Sequence, residues 1–309
     1  MLDALSRTFF LSLAGSEPLR RLASRYGMRA GGFARRFIAG ETLEDALETA
    51  RQLTGAGLLL TLNYLGESVA SIEDARRAAD GYVRMLGTMR EHGLTPRISV
   101  KLTQLGLVHD PAACEANLRR LLDAGGDACF VRVDMEHSTW VDPTLDLVER
   151  IWRDGHRRVG VVLQAYLYRT PDDLARVNAL GIGVRLCKGA YKEDRDVAYP
   201  VKADVNAAFV DLTGTLLRDA DYPALATHDP HMIAAARAAA DEIGRSRDSF
   251  EFQMLYGVRR DLQASLLDDG YRVRVYLPHG DQWFPYFMRR MGERPANVLF
   301  VARSLLHER

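Results

Sequence analysis

The sequence predicts an α/β fold, a distorted (β/α)8 barrel of the TIM type preceded by an N-terminal helical arm. Three observations lead there. From Leu58 onward, short β-branched and aliphatic runs alternate with longer amphipathic stretches, and strict alternation of this kind implies a parallel sheet wrapped by helices. The runs number eight, which favours a closed barrel over an open doubly wound sheet. Seven of the eight end on polar residues, namely Lys101, Asp134, Gln164, Lys188, His228, Gln253 and Tyr276, and strand C-terminal ends form the active face of such a barrel.

Taken in order, the strands are expected at residues 58–64, 97–102, 130–136, 159–166, 183–188, 224–229, 250–255 and 273–277. Between them, stretches such as 71–91 and 230–243 have the Ala, Leu, Arg and Glu content of helices, with Asp or Pro near several starts. Residues 1–55 read as helices, because Leu5, Phe9, Leu13, Leu19, Leu22, Phe33 and Phe37 recur near the spacing of a helical turn. The expected organisation is therefore an arm over residues 1–55 and a barrel over 56–309. A chain of 309 residues, 47% hydrophobic, can bury one large core, and no internal repeat, low-complexity tract or long linker divides it.

Composition excludes several classes. The 41 basic and 41 acidic residues cancel, and no basic block is interleaved with aromatics, so a nucleic-acid partner is not expected. Cys114, Cys129 and Cys187 are an odd set without CxxC spacing, which points away from disulfides and zinc and toward a reducing, cytoplasmic setting. The apolar patch of Phe9, Phe10, Leu11 and Leu13 follows Asp3 and is shorter than a signal core. No apolar run reaches transmembrane length, so membrane contact is expected to be peripheral, at the inner face of the cytoplasmic membrane.

Several constellations suggest chemistry. After the eighth strand, Pro285 introduces Tyr286-Phe287-Met288-Arg289-Arg290, in which Tyr286, Arg289 and Arg290 share one helical face. Two adjacent guanidinium groups repel unless an anion lies between them, and their forks match a carboxylate or phosphate; a solvated basic face paired with Glu293 is the plainer alternative. Lys101 and Asp134 end neighbouring strands and suit a mutual ion pair. Lys101 and Lys188 are also placed as Schiff-base lysines of an aldolase-type barrel would be. Gly181-Ile182-Gly183 precedes a strand and has Leu186 in its sixth position, so it is no dinucleotide fingerprint. Arg185, Lys188 and Gly189 better suit a phosphate-bearing cofactor, with cations to neutralise it and a glycine to let the backbone approach. His137, His228 and His279 fall near strand ends without HxH or HExxH spacing, so no metal is expected; Cys187 reads as packing, and a GxSxG elbow is absent.

The stretches TLNYLGE (61–67), SVKL (99–102), VDME (133–136), QAY (164–166), VRLCKGAY (184–191), THD (227–229), QMLYG (253–257) and YFMRR (286–290) occur in order, about one per strand. Together they resemble the FAD-dependent proline dehydrogenases, in particular the monofunctional bacterial members. The resemblance implies a last helix over the barrel mouth, bringing Arg289 and Arg290 to the carboxylate of L-proline with help from Lys101. Asp134 would hold Lys101 and line the pocket. Leu255, Tyr276 and Tyr286 would wall the pyrrolidine ring, and Tyr191 would stand near substrate and flavin. Implied FAD contacts are Asp134, Gln164, Arg185, Lys188, Gly189, Ala190, Thr227, His228 and Gln253. Cys187 departs from the small aliphatic residue often found there, and the N-terminal arm carries no matching motif.

The implied reaction oxidises L-proline to Δ1-pyrroline-5-carboxylate by hydride transfer to FAD, the first step of proline catabolism. Electrons would pass to a membrane quinone, and the product to a separate pyrroline-5-carboxylate (glutamate semialdehyde) dehydrogenase. No residue identifies itself as the base for the proline nitrogen, while Arg185 and Lys188 are candidates to stabilise an anionic reduced flavin. Two other readings remain open on the residues alone. One is the Schiff-base aldolase using Lys101 or Lys188; the other is a non-catalytic anion-binding barrel acting through Arg289 and Arg290.

Overall fold

Eight parallel strands close into a barrel in the order β1 to β8, so each strand pairs with its sequence neighbours and β8 returns to β1. The computed structural model describes Met28, residues 32–66 and residues 69–293. Its strands are β1 (Leu59–Tyr64), β2 (Arg97–Val100), β3 (Phe130–Val133), β4 (Val159–Gln164), β5 (Gly183–Cys187), β6 (Ala224–Ala226), β7 (Glu251–Leu255) and β8 (Arg272–His279). All eight expected strands are present, and the (β/α)8 expectation holds. Most end a residue or more earlier than the apolar pattern suggested. Past those ends the chain stays extended on single bonds, such as the Asp134 amide to the Val100 carbonyl (2.8 Å) and the Ala165 amide to the Cys187 carbonyl (2.8 Å). There the paired ladder ends, and the residues beyond it belong to the loops of the mouth.

The helices around the barrel start where local chemistry dictates. α1 (Leu43–Gly55), α2 (Ile72–Glu91) and α3 (Pro111–Gly125) are capped by Thr42, Ser71 and Asp110, whose side chains accept first-turn amides. They are followed by α4 (Val141–Arg153), α5 (Thr170–Asn178), α6 (Lys202–Asp219), α7 (Pro230–Glu242), α8 (Arg260–Asp268) and α9 (Trp283–Glu293). Asp229 caps α7 ahead of Pro230, so a residue at the mouth of the barrel also begins a helix.

The main apolar core lies between the sheet and its helices, not inside the barrel. Along β3, Val131 and Val133 are fully buried in that core, while Arg132 and Asp134 form hydrogen bonds across the barrel interior. β5 repeats the pattern with Val184 and Leu186 outside and Arg185 inside, as does β8 with Val273 and Val275 outside and Arg274 and Tyr276 inside. Barrels of this type ordinarily fill the interior with layers of branched apolar side chains. Here the interior is a charged, hydrogen-bonded network.

The reading of residues 1–55 as helices holds over α1 (Leu43–Gly55) and needs correction just ahead of it. Phe33–Arg36 is a single 3-10 turn, bracketed by Gly32 before it and Gly40 after it, and Phe33 to Phe37 do not extend into an α-helix. Leu5, Phe9, Leu13, Leu19 and Leu22 lie outside the described residues. The turn and the residues just after it are firmly docked. Ala34, Phe37 and Ile38 join Leu65 and the Trp283, Phe284, Tyr286, Phe287 and Met288 side chains of α9 in a second apolar cluster. Phe37 and Phe287 lie 6.2 Å apart, and the Trp283 indole donates to Glu41 at 2.6 Å. Burying each large side chain there contributes roughly 1.5–3 kcal/mol, so α9 is anchored at the mouth from below.

Candidate active site

Asp134 is the hub of the mouth. Its carboxylate accepts from the Arg185 guanidinium at 2.7 Å and from the Tyr276 hydroxyl at 2.8 Å, and the Lys101 ammonium lies 3.7 Å away. Lys101 and Asp134 are thus neighbours, but Arg185 is the nearer cation. Arg185 also donates to Ser99 at 3.0 Å and to Gln253, and its guanidinium stands 5.4 Å from the centre of the Tyr276 ring. Burial, then the nearby Asp134 charge, holds the Tyr276 phenol well above its ordinary titration range, so it keeps its proton and serves as a donor.

A second group of the expected residues lines the ends of β4 to β7. The Gln164 amide donates to the Glu136 carbonyl at 2.9 Å. Lys188 contacts Asp229 at 2.8 Å and Asn206 at 2.5 Å. Burial works to raise the Asp229 carboxyl, but bonds and charge from Lys188, with the His231 amide, outweigh it and hold it below the usual range. Thr227 accepts the Asp229 amide at 3.1 Å. The His228 Nε2 accepts the Leu255 amide at 2.8 Å, which leaves the other ring nitrogen to carry the proton. Gly189 has φ 109°, and a Cβ there would stand 2.2 Å from the Tyr166 ring, so only glycine fits this close approach. Ala190 follows it on the same loop.

Tyr191 stacks on His137 with ring centres 4.4 Å apart. Its loop is latched by Glu193, which accepts from the Ser138 amide (2.8 Å), the Ser138 hydroxyl (2.6 Å) and His137 (3.2 Å). Leu255 ends β7 partly exposed, and Tyr286 is buried in the α9 cluster. Arg289 and Arg290 lie within α9, at three and four residues from Tyr286, so the three share a helical face; the two arginine side chains are outside the described positions.

Sequence reasoning overlooked Ser99, Glu193, Asn206 and Glu251. The signal that finds Ser99 and Glu251 is the alternation of polar and apolar residues along β2 and β7, which is unusual for a parallel strand buried on both faces. Glu193 and Asn206 carry no comparable local signal. Burial pushes the Cys187 thiol up to about 11, which keeps it protonated and fits its reading as packing.

A mouth built from a carboxylate, two cations and a phenol, beside a glycine-bearing cationic loop, is a polar site on the face where barrels of this fold carry their chemistry. Similar proteins narrow the class. Residues 46–303 match the proline dehydrogenase family. The chain is 39% identical over 301 residues to proline dehydrogenase 1 of Bacillus subtilis (strain 168), covering 97% of this chain and 99% of that protein. It is 38% identical over 314 residues to proline dehydrogenase of Deinococcus radiodurans, covering 99% of each. In three dimensions it is similar to proline utilization A from Bdellovibrio bacteriovorus inactivated by N-propargylglycine, with a TM-score of 0.79 and 25% identity over 84% of this chain. It spans 32% of that larger protein. The chain belongs to the proline dehydrogenase family.

Proposed function

We propose that the chain binds FAD and oxidises L-proline to Δ1-pyrroline-5-carboxylate. The observation that carries this reading is the Asp134 cluster, which joins Lys101 and Tyr276 on one side of the mouth to Arg185 on the other. The residues fit the cofactor. Gln164, Arg185, Thr227, His228 and Gln253 offer polar groups and Lys188 a cation, while Gly189 lets the loop that carries Ala190 close onto the Tyr166 ring beside them. When bound, FAD supplies the acceptor for the hydride that leaves the ring carbon beside nitrogen, on the side away from the carboxylate.

The chain's own part is binding and orientation. Lys101, Arg289 and Arg290 hold the substrate carboxylate, while Leu255, Tyr276 and Tyr286 wall the pyrrolidine ring and exclude water. Asp134 positions Lys101, Arg185 and Tyr276 at once, and Tyr191 closes the side facing the latched loop. Arg185 and Lys188 place positive charge where a reduced, anionic cofactor would need it. The proline nitrogen loses its proton to solvent, since no side chain here is singled out as its base. Residues 56–309 carry the chemistry, with the preceding arm bracing the last helix.

Electrons leave to a membrane quinone through surface contact; among the described residues no helix is long and apolar enough to cross a membrane. A separate pyrroline-5-carboxylate dehydrogenase takes the product. Against the aldolase alternative, both candidate lysines face carboxylates instead of an apolar pocket that would bare a neutral amine. The test is a visible spectrum before and after anaerobic addition of L-proline. A yellow protein that bleaches supports the reading; a colourless protein trapped by borohydride overturns it. Denaturation should release the flavin into the supernatant, and quinone analogues should sustain turnover better than NAD.

A further inference from the structure

Below the mouth, at the N-terminal end of the barrel, lies a cavity of about 80 Å³. Its lining includes Arg97, Phe130, Arg132, Tyr222, Glu251 and Arg274. A water molecule's share of liquid volume is about 30 Å³, so this space suits a few waters or one small ion with part of its hydration.

The charges around it do not balance. Glu251 is fully engaged, taking the fork of Arg274 at 2.7 and 2.9 Å, the Tyr222 hydroxyl at 3.2 Å and the Gln253 amide. Arg185 spends its charge on Asp134. Arg132 is only 7% exposed, and among the described residues its guanidinium bonds through NH1 alone, to the carbonyls of Val161 (3.1 Å) and Gly183 (2.6 Å). It makes no ion pair among the described residues, and Glu251 acts on its charge only at longer range. Gly160 makes room for it, since a Cβ there would stand 2.6 Å from NH1. Arg97 lies 5.3 Å from the Phe130 ring and Arg132 4.8 Å from the same ring. Neither guanidinium has an ion-pair partner among the described residues.

Four guanidinium groups line the cavity; with Arg185 spent on Asp134, Arg97, Arg132 and Arg274 share the single charge of Glu251, a surplus of two positive charges. Burial, with Arg185, Arg274 and Arg97 nearby, weighs against the charge on Arg132. A guanidinium does not shed its proton in proteins, and an unpaired buried charge is costly, so the remaining compensation is a negative ion. Arg97 is half-buried and Tyr222 reaches solvent, which gives the cavity a rim through which an ion can enter. We propose that this cavity binds a small monovalent inorganic anion, of the size of chloride or nitrate, between Arg132 and Arg97. The cavity adjoins the mouth, since Arg185 and Gln253 line it, and Gln253 connects the two by bonding both Arg185 and Glu251.

The test uses the intact protein with its bound cofactor, transferred to sodium gluconate and titrated with sodium bromide at constant ionic strength while thermal unfolding is followed. The parent is expected to show a saturable rise in Tm. Arg132→Met, which keeps the stem and removes the charge, should weaken the apparent bromide affinity at least tenfold, as should Arg97→Met at the rim. Arg289→Met should leave it unchanged, because that residue belongs to the mouth. Crystals soaked in bromide should show an anomalous peak beside Arg132. An equal rise in parent and both variants, or the absence of a peak in the cavity at saturating bromide, overturns the proposal. If Arg132→Met fails to fold, the Arg97→Met titration and the bromide crystal decide it.

Discussion

Asp134 at the mouth and Glu251 near the floor are both buried carboxylates on inward-facing positions, and both are crowded with donors. Their partners differ in origin. Glu251 is closed by Arg274 of the adjacent strand in a two-point fork, with Tyr222 and Gln253 completing it. Asp134 draws Arg185 from β5, Tyr276 from β8 and Lys101 from beyond β2, each by a single contact. A fork between neighbouring strands fixes the wall of the barrel. Single contacts drawn from three different strands leave donors with capacity to spare for a ligand, which is what a binding mouth requires.

The largest effect is therefore expected at the floor. Glu251→Gln leaves the Arg274 charge buried without a counter-ion, and breaking a buried pair from one side costs about 3–5 kcal/mol. Urea unfolding should show that loss, while the folded fraction keeps its response to L-proline. A folded variant that no longer responds would mean that the two ends do not act separately.

The ends also differ in acid. At the rim of the mouth, burial holds His279 down to about 4 against an ordinary 6.5. Between those values the unfolded chain binds a proton that the folded chain refuses, so stability falls as pH drops from 6.5 through 4. The full effect is about 3 kcal/mol. His279→Gln should remove this component of the pH slope in chemical denaturation; an unchanged slope would reassign the acid sensitivity to other groups. Glu251 shifts in the same direction but in a lower window, so its contribution is lost only as pH falls below the ordinary carboxylate value of 4.5. Burial opposes its charge, but Arg274 outweighs that and keeps the carboxyl below its usual range, so the fork survives mild acid.

Arg289 and Arg290 should behave as ligand-binding groups. Replacing either with Met removes a charge-assisted bond of about 1.5–3 kcal/mol, or roughly a tenfold to hundredfold weaker grip on L-proline. Anaerobic titration of flavin bleaching measures it, and the melting temperature should stay near that of the parent. Loss of flavin and fold together would make these residues structural.

The smallest expected effect is at the hub. Tyr276→Phe deletes the 2.8 Å bond to Asp134 but leaves Arg185 in place. One net hydrogen bond is worth about 0.5–1.5 kcal/mol, so flavin reduction should slow by up to about tenfold. A loss beyond that would give Tyr276 a role other than walling the ring and bracing Asp134.

The sequence by itself determined the kind and order of the elements, because periodicity and capping are local. Ser71, Asp110 and Asp229 announce helices within a turn of themselves, and the apolar runs of β1 to β8 are legible one by one. It also determined which side chains gather at the mouth, since a strand's C-terminal end in a (β/α)8 barrel has only one place to be. The tertiary structure alone decided which partners they take. Lys101 and Asp134 looked like the obvious pair, yet Arg185, 51 residues from Asp134, is the closer cation, and Tyr276, 142 residues away, completes the hub. Strand ends were decided there too, since most of the ladders end before the apolar pattern stops. The N-terminal segment shows the same limit, because Phe33 and Phe37 carry helical spacing, yet Phe33–Arg36 is a 3-10 turn and Phe37 packs against α9. In each case the deciding energies are the desolvation and pairing of groups brought together by barrel closure, and that distance along the chain is invisible to any local pattern.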